Sequence, residues 1–116
     1  MKIAKDVYKI NGDGNVYLIL KPEIILIDTG KSVEGERLRR EIEKIISLDK
    51  IKIVLLTHLH YDHSGNVDIF KNADFYAAIE EINDFQKNPN YFYWGKIPKK
   101  INEILNKKLK DRKSVV

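Results

Sequence analysis

A chain of 116 residues that is 43% hydrophobic and 33% charged, against ~25% charged in ordinary globular domains, has enough apolar side chains for one core, not two, and too many to stay disordered. The absence of cysteine excludes disulfides and thiolate metal sites, and the longest aliphatic runs, at 24–27 and 53–56, fall far short of the ~20 residues that cross a bilayer. The net charge of +4 resides in residues 96–113, where eight bases face two acids, so the rest of the chain is slightly acidic. MKIAKDVYKI at the start alternates charge and apolarity and lacks the continuous apolar core of a signal peptide, so a soluble cytoplasmic protein is expected. Abundant Lys, Glu and Ile give the composition a thermophile-like cast.

Three β segments open the chain. Residues 2–10 read as one strand and GDG at 12–14 as a turn; NVYLIL (15–20) and IILIDTG (24–30) flank KPE in the pattern of an antiparallel hairpin. Gly30 and Ser32 then interrupt the pattern before a helix. In it Leu38, Ile42, Ile45 and Ile46 form one apolar stripe, with charged residues on the other side. IKIVLLTH (51–58) has the β-branched, aliphatic character of a strand buried on both faces. A short helix near 67–71, a strand at 74–78 and a helical turn through 80–85 follow. Residues 87–98 form a loop rich in aromatics. After Pro98, Ile101, Ile104, Leu105 and Leu109 mark a last amphipathic helix. Strands first, then strands alternating with helices, indicate a layered α/β (α+β) fold, a mixed sheet with helices on one face.

THLHYDHSGN, residues 57–66, holds all three histidines of the chain. In extended backbone, side chains two apart share a side, so His58 and His60 point together and His63 falls out of phase with them. The pair is placed to hold one cation, and His63 to serve a second, with Asp62 as a hard oxygen donor. Imidazoles and a carboxylate without thiolate suit Zn²⁺, Fe or Mn. Two such ions ~3.5–4 Å apart share a water, lower its pKa and clamp a substrate oxygen. Gly65 fits a tight turn. Tyr61 reads as a spacer and Ser64 as a turn residue, neither with a supporting base.

His58-Leu59-His60-Tyr61-Asp62-His63 matches the H-x-H-x-D-H motif, and with it the chain resembles the metallo-β-lactamase superfamily. GNVYLI…IILIDTG is similar to that family's opening hairpin with Asp28 at its first motif, and ADFYAAIEEINDF to the strand and helix that follow the second; the likeness covers residues 5–86. What the resemblance implies is the N-terminal half of an αββα hydrolase sandwich that binds one or two metal ions, usually zinc. By motif, His58 and His60 would ligate the first ion and Asp62 and His63 the second, with Asp62 also orienting the attacking water. Asp28 would be a structural acid near the site; a carboxylate bonded to the turn at Thr29 and Gly30 is an equal reading.

Complete members of the family take further ligands from later in the chain, and no histidine follows His63. The chain ends at Val116 about where the third motif is expected, which leaves both ions short of protein ligands and half a sandwich with an uncovered sheet face. Residues 1–86 are therefore expected to form a half-domain, with 87–116 an aromatic loop and basic helix that begin the link to the missing half. Either the chain is part of a longer or split protein, or a second polypeptide covers the sheet, or two copies pack sheet to sheet.

The leading expectation is a metal-dependent hydrolase in which activated water attacks an ester, thioester, amide or phosphoester of a small molecule. A non-catalytic half-domain that binds a partner through its sheet is the alternative. Tyr91, Phe92, Tyr93 and Trp94 read either as a substrate wall or partner contact or as a loop packed back on the sheet, and beside the basic segment they admit nucleic-acid binding as a further reading. No membrane association is expected.

Overall fold

Alternation of apolar side chains builds most of a seven-stranded sheet, seen in a computed structural model that describes residues 1–12 and 14–114. The strands are β1 (Lys2–Ala4), β2 (Val7–Ile10), β3 (Val16–Ile19), β4 (Ile25–Ile27), β5 (Ile53–Leu55), β6 (Asp74–Ala77) and β7 (Leu109–Asp111), and they lie in the sheet in the order of the sequence. β1 to β4 form an antiparallel meander; β4 to β7 run parallel. The helices are α1 (Gly35–Glu43), α2 (Tyr61–Ser64), α3 (Ile79–Lys87) and α4 (Lys99–Lys108). This is the expected mixed α/β sheet. Asp13, the centre of the expected 12–14 turn, lies outside the described residues, as do the last two valines.

Three expectations about single elements are corrected. Residues 2–10 are not one strand: Asp6 adopts φ 61°, a left-handed conformation that Asp tolerates better than most residues, and β1 folds back antiparallel on β2. The last helix does not run through Leu109. Extended backbone there (φ −84°, ψ 129°) starts β7, because Leu109 pairs with Phe75 of β6 and joins the core edge. The third correction concerns β5, which is buried on one face only.

Residues facing one side of the sheet (Ile10, Val16, Leu18, Leu26, Val54, Phe75 and Ala77) are buried and share one core with Leu38 and Ile42 of α1, Ile82 and Phe85 of α3, and Ile101 and Leu105 of α4. Phe92 and Ile97, from the segment before α4, belong to the same core. Residues facing the other side are half-buried and stand outside that core. In one row across the strands they are Tyr17, Ile27, Leu55 and Tyr76; in the next, Val7, Ile19, Ile25 and Ile53. All the large helices thus cover one face, and the second face, apolar at its centre and edged by Lys9, Asp74 and Lys110, is covered by none of the described helices.

Three bases of the C-terminal segment are already engaged. Lys110 Nζ meets Asp74 Oδ2 at 3.0 Å across β6 and β7, Lys108 Nζ donates to Lys71 O at 2.9 Å, and Lys100 Nζ lies 3.6 Å from Asp68 Oδ2. The Asp74 carboxylate raises the pKa of Lys110 above its ordinary value. Among the described residues, no helix is long and apolar enough to cross a membrane.

Candidate metal centre

β5 delivers the histidines at its carboxyl end, where ligands of open α/β sheets gather. His60, still extended at φ −65° and ψ 161°, is the N-terminal cap of α2, and the helical turn that follows swings His63 back toward His58. The ring centres of His58 and His63 are 5.2 Å apart, and those of His58 and His60 are 6.2 Å apart. His63 is therefore not turned away from the pair, because the extended backbone assumed for that phase stops at His60. His58, His60, Asp62 and His63 line one open pocket of about 310 Å³ with Tyr61 and Trp94.

Asp28 fixes the orientation of His63. It follows β4 in a left-handed conformation (φ 66°), as Asp6 does, and its N–H donates to Leu55 O at 2.8 Å. Its buried carboxylate does not bond to Thr29 or Gly30. Oδ1 accepts from Thr57 N–H at 2.8 Å, and Oδ2 accepts from Thr57 Oγ1 at 2.7 Å and from His63 Nδ1 at 3.0 Å. A carboxylate only accepts, so the neutral His63 carries its proton on Nδ1 and turns Nε2 toward the pocket, 3.5 Å from Asp62 Oδ1. Asp28 raises the His63 pKa above its ordinary value by this hydrogen bond, against partial burial, with further help from the charges of Asp28, Asp62 and Glu81.

The loop is held from behind by residues 29–31. Thr29 donates from N and Oγ1 to His63 O at 2.7 and 2.8 Å, Gly65 N donates to Gly30 O at 3.0 Å, and the Asn66 side chain donates to Thr29 O and Lys31 O at 2.7 and 2.6 Å. Gly65 has ordinary helical angles (φ −62°), so a turn does not require it; close approach does. A Cβ there would lie 2.6 Å from Tyr61 O, 2.7 Å from Gly30 O and 2.7 Å from Ser32 N, all backbone atoms that must move to admit it.

His60 is braced from the other side. Glu81 of α3 accepts from Leu59 N–H at 2.9 Å and comes within 3.9 Å of His60 Nδ1, while the Phe92 ring stands 4.7 Å from the His60 ring. Ser64 is fully buried, and its Oγ lies 3.0 Å from Leu59 O and 2.6 Å from Tyr93 OH. With the one Ser64 proton given to a loop carbonyl, the Tyr93 hydroxyl is the donor to Ser64. Burial pushes the Tyr93 pKa up to about 12, so that hydroxyl stays protonated. Thr29, Thr57, Asn66, Glu81 and Tyr93 carry no signal of these roles in the sequence; their partners are 21 or more positions away, except for the Thr57 pairing with His63 six positions on.

Two imidazoles on one tetrahedral zinc at ~2.0–2.1 Å hold their ring centres about 5 Å apart, and the His58–His60 pair, at 6.2 Å, stands about 1 Å wider than that. A histidine that donates Nδ1–H to a carboxylate and offers Nε2 has the form usual for metal ligands. Among the described residues, no three His, Asp or Glu side chains close around a single point. The donors fit a cation as one wall of a cage.

Residues 10–111 match the model of the metallo-beta-lactamase superfamily. The chain is 40% identical over 82 residues to Probable metallo-hydrolase MJ0296 of Methanocaldococcus jannaschii, which covers 70% of this chain and 39% of that protein. It is 39% identical over 74 residues to a Streptococcus pyogenes serotype M6 protein also described as a probable metallo-hydrolase, covering 63% of this chain and 30% of the other. Among solved structures, it resembles the metallo-beta-lactamase GOB-18 from Elizabethkingia meningoseptica with TM-score 0.64 and 34% identity, over 72% of this chain and 33% of that one. The chain thus spans about a third of the length of the proteins it matches.

Proposed function

The chain belongs to the metallo-beta-lactamase superfamily, and from that premise we propose that residues 57–66 form the metal-binding wall of a metal-dependent hydrolase. The observation that carries the reading is the meeting of His58, His60, Asp62 and His63 on one pocket, with His63 turned to present Nε2 by Asp28. His58 and His60 would hold a first cation and Asp62 and His63 a second, zinc by donor type and iron or manganese by the same donors. Such a group, when bound, supplies Lewis acidity and a water acidic enough to attack an ester, thioester, amide or phosphoester. Asp62 would offer an oxygen that orients the attacking water. Asp28 keeps the imidazole of His63 in one tautomer, and Glu81 and Phe92 keep that of His60 in place. The test is metal content of the purified chain by mass spectrometry. One or two zinc ions per chain, lost in His58→Ala and His60→Ala, are expected; a chain that takes up no divalent metal at neutral pH would end the reading.

The open sheet face supports a complementary reading. Eight apolar side chains in two rows, on a face that no described helix packs against, form a surface of the kind proteins cover. We propose that the complementary half of the sandwich covers it, from a longer form of this chain, from another polypeptide or from a second copy. Sedimentation of the purified chain should give a mass above that of a monomer or show aggregation. A stable monomer at high concentration would count against it.

A further inference from the structure

The aromatic run 91–94 is divided by the fold. Phe92 is 4% exposed, edge-on to Phe85 and beside His60, and Tyr93 is bonded to Ser64, so the backbone just before Trp94 is pinned at two successive residues. Trp94, the single tryptophan of the chain, is 79% exposed, lines the donor pocket, and has its ring centre 5.4 Å from that of Tyr61 at 52°. Its backbone is left-handed (φ 49°, ψ 44°) at the end of a 3₁₀ turn, where glycine or asparagine is the usual occupant. Glycine is the next residue, itself at φ 147°, so the chain turns through two successive positive-φ positions and the first of them carries the bulky ring. A half-buried Tyr61 ring and an exposed Trp94 ring beside charged and polar donors offer a surface on which a further aromatic group gains by stacking or edge-to-face contact.

We infer that Trp94 and Tyr61 form a platform for a flat aromatic or conjugated group, and that the substrates of this pocket carry such a group next to the bond to be cleaved. The inference rests on the hydrolase reading of the same pocket. It assigns Trp94 to substrate selection: the four donors meet the reacting group, and the rings hold the neighbouring one.

The test uses the 116-residue chain and two hydroxamates, benzohydroxamate and acetohydroxamate, which share a metal-binding head and differ in the ring. Calorimetric titration, with and without added zinc, gives their affinities, and Trp94 fluorescence reports contact in the parent chain. The benzene ring should give about tenfold tighter binding and quench the emission. Trp94→Ala should remove that preference while leaving acetohydroxamate unchanged, and Trp94→Phe should keep most of it. Trp94→Gly, which suits the backbone, replaces the alanine variant if that one does not fold. Equal affinity for the two probes, binding of neither, or a preference that survives loss of the ring overturns the platform. A ring preference that is the same without zinc sustains the platform and removes the metal reading; zinc-dependent binding without a ring preference does the reverse.

Discussion

The histidine loop and the open face of the sheet arise from the same strands and are finished to different degrees. Around the loop, Thr29, Thr57, Ser64 and Asn66 all hydrogen-bond to named partners, and among the described residues no buried side-chain polar atom lacks one. The open face makes no such closure: Ile27 and Leu55 are flanked by Tyr17 and Tyr76 in a row that ends in Lys9 and Lys110. Polar groups exert directional demands that a chain must meet locally, because an unpaired buried donor costs ~1–3 kcal/mol. Apolar surface makes no such demand and is satisfied by any complementary surface. The site is therefore closed by its own hydrogen bonds, while the second sheet face is left uncovered among the described residues.

Substitutions on the two regions should separate accordingly. Gly65→Ala forces a methyl group against three backbone atoms and should cost about 3 kcal/mol in urea unfolding, at the upper end for overpacking; a change within error would mean that the loop is not tightly clasped. Asp28→Asn removes the charge that faces His63 and should cost about 2 kcal/mol. Because Asp28 raises the folded pKa of His63, this contribution in metal-free chain is complete below about pH 6.5, the unfolded value, and is lost as pH rises through the higher folded value. Stability of the metal-free parent should thus decline over that interval, and the Asp28→Asn variant should show a flatter profile in the same titration. Tyr93→Phe removes one buried hydroxyl donor and should lower stability by about 1 kcal/mol, seen as a small fall in melting temperature. On the open face, Leu55→Ser should cost less than about 1 kcal/mol in the same unfolding assay, and it should reduce self-association in sedimentation. If Leu55→Ser proves as damaging as Gly65→Ala, the contrast between the regions fails.

The legible parts of this molecule are those whose signal is local. The alternation in 16–19 and 25–27 announces the hairpin, and the donor types in 58–63 announce the candidate site. Leu109 misleads because three residues of strand look like the continuation of a helix until Phe75, 34 positions earlier, is known to lie beside it. Asp6 hides a reversal that only its left-handed backbone makes visible. β5 reads as covered on both sides because Ile53 and Leu55 are as aliphatic as Val54; hydrophobicity states what a side chain prefers, and the presence of a cover is a property of the surroundings. The clasp around His63 is hidden for the same reason, since Thr29 and Asn66 are ordinary loop residues until they are adjacent.

Strand order that repeats sequence order has a consequence for synthesis. Each strand after the first docks beside the one made just before it, so the sheet grows by addition at a single edge and never has to reserve a gap for a later arrival. A nascent chain leaving the ribosome can assemble in that order, with β4 already in position when the histidine loop emerges and Asp28 waiting to receive it.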